Sequence, residues 1–155
     1  MTEVIVKNVA ARPMAAVKRR VRLETFRKEW EAAEPEVAKF LRGAKGVTPM
    51  AWLGFVFQPD PKGDGSIGDG YYGRLVAEPF KGKGNIQCIS TPAGEAATAL
   101  NIGPFEGLSA THAAVRTHIS QAGMSAPGAF WEVYNTPSTD PASWEAYVYY
   151  LLARR

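Results

Sequence analysis

The sequence predicts an α+β fold: duplicated strand-helix-strand-strand units whose antiparallel sheets carry two helices on one side and a concave ligand cleft on the other. Three observations point there. Apolar residues recur every three or four positions in two separate stretches, 23–40 and 105–119, which is the spacing of helices that bury one stripe. Around them lie runs rich in aromatic and β-branched residues, bounded by proline and glycine as strands are. The order of these elements then occurs twice along the chain.

Residues 4–7 and 12–18 read as extended. Arg12-Pro13 marks a bend between them, because proline fixes its own backbone and pushes its predecessor out of the helical region. From Leu23 the period changes, and Leu23, Phe26, Trp30, Ala33, Val37 and Phe40 form one helical stripe, with Pro35 expected to kink or restart the helix and Gly43 and Gly46 to end it. Pro49 to Pro59 reads as a buried strand. The glycine-rich run Asp60 to Gly70 resembles a calcium loop in outline, but Lys62 stands at the third ligand position and Tyr71 where the closing glutamate belongs, so a surface turn is expected. Tyr71 to Phe80 is a strand and Lys81 to Asn85 a turn. Ile86 to Ile102 holds two extended pieces bent at Thr91-Pro92-Ala93-Gly94. Gly103-Pro104 then starts a helix with the stripe Phe105, Leu108, His112, Val115 and Ile119, stopped by Gly123. Ala129 to Asn135 and Trp144 to Leu152 are the last two strands.

At 155 residues the chain is expected to be one domain, 1–155, with an internal repeat of about 1–80 and 86–155. It is 46% hydrophobic and 21% charged, and no apolar run approaches the roughly 20 residues of a membrane helix. The start, Met1 to Lys7, lacks the pattern of a secretory signal, so a cytoplasmic protein is expected. Cys88 is the only cysteine, which excludes an internal disulfide and any multi-cysteine metal site. The net charge is +3, with basic residues bunched at Lys18-Arg19-Arg20, Arg22 and Arg27-Lys28. That cluster reads as a solvated face without stacking aromatics, and nucleic acid is not the expected partner.

Laying Trp52 to Pro59 over Phe130 to Pro137 brings out the repeat, and the faces follow from the register that unites the polar and aromatic side chains. With Trp131 and Val133 toward the helices, Phe130, Glu132 and Tyr134 share the helix-free concave side with Trp52 and Val56; Glu145, Tyr147 and Tyr149 share one face of the last strand. A one-residue slip would flip every one of these side chains.

Ser109 lacks the glycine setting of a nucleophile elbow. His112 sits on the apolar helical stripe as a core histidine would, and His118 reads as exposed. Neither has neighbours at metal-ligand spacing, so neither metal nor cofactor is expected. What remains is Glu132, with Glu145, among Trp and Tyr rings. Rings attract a flat lipophilic cation through their quadrupoles and a carboxylate supplies the countercharge. The other reading, equally open at this point, is a sheet whose second face is simply aromatic, with both acids in water.

Leu100-Asn101-Ile102-Gly103-Pro104-Phe105-Glu106-Gly107-Leu108, then Glu132-Val133-Tyr134-Asn135-Thr136-Pro137 and Trp144-Glu145-Ala146-Tyr147-Val148, resemble the GyrI-like small-molecule-binding domain, which also serves as the effector-binding half of multidrug-sensing transcription regulators. The resemblance covers nearly the whole chain. It implies the duplicated fold and a central cleft lined by aromatics with an acid at its base; the strand glutamate carries over onto Glu132 and the last-strand tyrosine onto Tyr147. Members of the family often begin the last strand with Thr-Glu-Ile; here Trp144 departs from that pattern beside Glu145. No DNA-binding segment is read ahead of the domain, so the chain resembles the stand-alone members.

The resemblance leaves three functions open. The first is binding of a hydrophobic, cationic or aromatic small molecule, with Glu132 as counter-ion. The second is hydrolysis of strained, cyclopropane-bearing electrophiles, as some stand-alone members are similar to such hydrolases; Glu132 would activate a water, helped by a pKa raised on burial, and Tyr147 or Tyr134 would hold the substrate oxygen. The third is a protein partner of the gyrase type.

Overall fold

The computed structural model describes residues 2–154. Strand β1 (Ile5–Val9) comes first in the chain and β2 (Pro13–Arg22) follows across the Arg12-Pro13 bend. A 3₁₀ turn, Phe26–Glu29, leads into helix α1 (Trp30–Gly43), and strands β3 (Pro49–Pro59), β4 (Ile67–Val76) and β5 (Ile86–Ser90) come next. Strand β6 (Gly94–Ile102) passes through a second 3₁₀ turn, Phe105–Gly107, into helix α2 (Leu108–Gln121). Strand β7 (Phe130–Asn135), a 3₁₀ turn at Pro141–Ser143 and β8 (Glu145–Leu151) complete the chain. No helix among the described residues is long and apolar enough to cross a membrane.

These elements form two compact units, residues 11–91 and residues 2–10 with 92–154. In the first, the sheet order is β3-β4-β2-β5; in the second it is β7-β8-β6-β1, and all pairings within each are antiparallel. The α+β class and the duplicated strand-helix-strand-strand plan are therefore as expected. The division of the repeat near residues 80–86 is not: β1 pairs with β6, and β5 pairs with β2, so each unit takes its edge strand from outside the half expected for it.

In the first unit the α1 stripe works as its spacing predicts. Phe26, Ala33 and Val37 are buried, Trp30 sets its edge on Tyr72 at 5.2 Å, and the Tyr72 hydroxyl donates to the Phe26 carbonyl at 2.6 Å. Phe55 stacks on Phe26 at 4.5 Å between parallel rings. Burying each such ring stabilises the unit by roughly 1.5–3 kcal/mol. Leu23 lies ahead of the 3₁₀ turn and is exposed, so the stripe begins at Phe26. Pro35 sits inside α1, which runs through it without a restart. The expected turn at 60–70 is shorter than read, because Ile67 to Gly70 already pair with β2 and β3.

In the second unit Leu108, Thr111, His112, Val115 and Ile119 of α2 are buried against the sheet. Gly123 ends the segment with a φ of 70°, a left-handed turn that glycine adopts without strain.

Candidate functional site

Residues directly opposite one another in an antiparallel pair share a face. Between β7 and β8 the opposed pairs are Phe130 with Tyr150, Glu132 with Val148 and Tyr134 with Ala146 on one side, and Trp131 with Tyr149, Val133 with Tyr147 and Asn135 with Glu145 on the other. The first set lies beneath α2, since His112 of that helix reaches Glu132. Phe130, Glu132 and Tyr134 therefore face the helix, not the helix-free side on which they were expected, and Trp131 and Val133 take that side with Glu145 and Tyr147. In the first unit Phe55 faces α1, so Val56, buried, lies on the opposite face of β3, while Trp52, half-buried, falls in the irregular stretch of that strand between Pro49 and Leu53. The register that unites the polar and aromatic side chains is therefore out of step on β7 by an odd number of residues. An odd slip inverts strand parity, and this one inverted β7.

Beneath α2 a closed polar chain forms. The Tyr134 hydroxyl donates to Glu132 Oε1, and His112 Nε2 lies 2.5 Å from Oε2. On the other side of the ring, Nδ1 is 2.7 Å from the Tyr150 hydroxyl, which in turn accepts from Arg116 at 3.1 Å. A carboxylate can only accept, so with Glu132 ionised Nε2 carries the hydrogen it receives, and a neutral ring then accepts from Tyr150 at Nδ1. Phe130 closes over the ensemble, edge-on to His112 at 5.2 Å and stacked on Tyr150 at 5.5 Å. Glu132 is fully buried, and taking a carboxylate out of water costs several kcal/mol unless charge-assisted hydrogen bonds offset it. Its two oxygens receive them here. His112, expected as a core histidine, has both ring nitrogens engaged.

The opposite face of the same strands is a different surface. Trp131 and Tyr149 stack at 5.0 Å with 7° between their planes, and Tyr147 lies 6.2 Å from Tyr149. Glu145 is half-buried on this face. Thr98 of β6, opposite Tyr149, is buried, and its hydroxyl has no hydrogen-bond partner among the described residues. Tyr147 and Glu132 thus project from opposite sides of one sheet, and Tyr134 is the tyrosine that touches Glu132. Trp131 and Thr98 were not placed on this face by sequence reasoning, and Tyr149 was grouped with Glu145 and Tyr147 without a role. The signal that could have found them was His112 itself: a buried imidazole on a helical stripe asks for an acidic partner on the strand beneath it.

Two residues of the basic cluster are paired within the first unit. Arg19 pairs with Glu36 at 2.7 Å, and Arg20 with Asp60 at 2.7 Å and Asp69 at 2.9 Å. Among the described residues no three His, Cys, Asp or Glu side chains gather as metal ligands would.

No protein-family model matches the sequence, and no curated protein matches it. Solved structures do share its fold. The C-terminal domain of EcmrR matches all of the chain and is itself 99% covered, with a TM-score of 0.77 and 17% identity. SAV2435, solved bound to tetraphenylphosphonium, matches 97% of the chain over 94% of its own, with a TM-score of 0.66 and 11% identity. A hydrolase encoded by lin2189 of Listeria innocua matches 97% over 92%, at 0.56 and 12%. These likenesses show the fold that the resemblance to the GyrI-like domain implied.

Proposed function

We propose that the chain binds a hydrophobic small molecule, cationic or aromatic, on the helix-free face of the second unit. Tyr147 and Tyr149 supply the rings and Glu145 the countercharge, with Trp131, itself buried, backing Tyr149. The observation that carries this reading is the parallel Trp131–Tyr149 pair with a half-buried carboxylate on the same face. Each ring contact with a cation is worth roughly 0.5–2 kcal/mol, more as water is excluded. The shared fold with SAV2435, bound to a lipophilic cation, supports the same chemistry. Glu132 fits the counter-ion role less well than Glu145, because both of its oxygens are engaged beneath α2. A hydrolytic reaction pairing Glu132 with Tyr147 would need both on one side of the sheet.

The test is a titration of tetraphenylphosphonium and of uncharged triphenylphosphine oxide, followed by tryptophan fluorescence. Glu145→Gln should weaken the cation about five-fold, the scale of one partly solvated charge pair, and leave the neutral compound unchanged. Tyr149→Ala should weaken both. Equal cation affinity in Glu145→Gln would remove Glu145 from the site.

A further inference from the structure

A second, chemically different site lies in the first unit. The last turn of α1 and the segment 79–86 enclose a groove of about 870 Å³. Its floor is apolar: Phe40 and Phe80 pack with centroids 5.6 Å apart, and Val47 and Ile86 extend the surface. Its rim is basic, with Lys39, Lys45, Lys81 and Lys83 all lining the opening.

The one carboxylate in the lining is already committed. Arg19 donates to Glu36 Oε2 at 2.7 Å and Asn85 to Oε1 at 3.3 Å, and the Arg19 bond holds the Glu36 carboxyl below its ordinary pKa. None of the four lysines makes an ion pair among the described residues. The C-terminal end of α1 contributes about half a negative charge, which four ammonium groups outweigh. The segment that carries the rim is held in shape, because Lys83 N donates to the Ile86 carbonyl at 2.9 Å and Ile86 N returns a bond to the Lys83 carbonyl at 3.0 Å.

We propose that this groove binds a small amphipathic anion: a flat or chain-like hydrocarbon laid on Phe40 and Phe80, with its anionic head at the lysine rim. Lysine is a point charge on a flexible stem and imposes no bidentate geometry, so a carboxylate, sulfonate or phosphate head suits the rim equally. The site is independent of the aromatic face of the second unit and has the opposite charge preference.

The probe pair is 8-anilinonaphthalene-1-sulfonate and uncharged N-phenyl-1-naphthylamine, which share their rings and differ in the sulfonate. Both are titrated into the full chain with tetraphenylphosphonium present and absent. The wild type should bind the sulfonate more tightly than the neutral amine, and the cation should not displace it. Lys81→Gln with Lys83→Gln, both on exposed side chains, should weaken the sulfonate roughly five- to ten-fold without changing the neutral amine. Phe80→Ala should weaken both probes. Unchanged sulfonate affinity in the double lysine variant, or displacement by the phosphonium, would overturn the proposal; the lysine variants decide the matter even if Phe80→Ala compromises folding.

Discussion

Glu132 shows how the worth of a residue depends on what is left behind when it is removed. Replacing it by leucine strands the His112 and Tyr134 donors in a dry layer beneath α2, and breaking a buried pair in this way costs about 3–5 kcal/mol. Removing both partners avoids the stranded donor on the helix, so Glu132→Leu with His112→Leu should be less destabilised than the sum of the two single variants. Urea unfolding of the four proteins measures this coupling, and strict additivity would show that the two side chains do not act on one another. Glu132 holds the helix to the sheet, whereas Glu145, one strand over on the far face, has the partial exposure that a ligand contact requires.

At the level of elements the packing of strands sets the tolerances. A Cβ on Gly73 of β4 would fall 1.7 Å from the Ala15 carbonyl oxygen of β2, a backbone atom that cannot step aside without parting the strands. Gly73→Ala should therefore cost ~3 kcal/mol or more, at or beyond the upper end of overpacking, and be visible as lost soluble yield or a lowered urea midpoint. A midpoint within experimental error of wild type would mean that β2 and β4 have slack at this crossing. Local signals made most elements legible: Gly103-Pro104 announced α2, the 3.6-residue stripe announced α1, and prolines bracketed β3 at both ends. Parity was not legible, because it rests on which residue of a distant strand lies opposite. Grouping the polar and aromatic side chains on the helix-free side was enough to carry Phe130, Glu132 and Tyr134 to the wrong one. The candidate site suffered accordingly: Glu145 and Tyr147 were grouped on their true face, while their neighbours Trp131 and Tyr149 were not assigned to the ligand.

For the molecule as a whole, acid should be destabilising, and through the first unit. The carboxyls of Glu36, Asp60 and Asp64 are held below their ordinary range by hydrogen bonds from Arg19, Arg20 and Ser66 respectively. Carboxyls of the unfolded chain take up protons near pH 4, before these do, so stability present above about pH 4 drains away as pH falls below it. The thermal midpoint should be lower at pH 3 than at pH 6, and the gap should narrow in about 1 M salt, which screens exposed pairs. An unchanged midpoint would show that these pairs do not survive in solution. The exchange of edge strands carries a different consequence. If the first ten residues were transplanted to the far end of the chain, the strand pairings would remain those of the native protein, but the sequence would read as two consecutive strand-helix-strand-strand-strand copies, with β5 and β1 each closing its own. The architecture is thus a circular permutation of a tandem duplication.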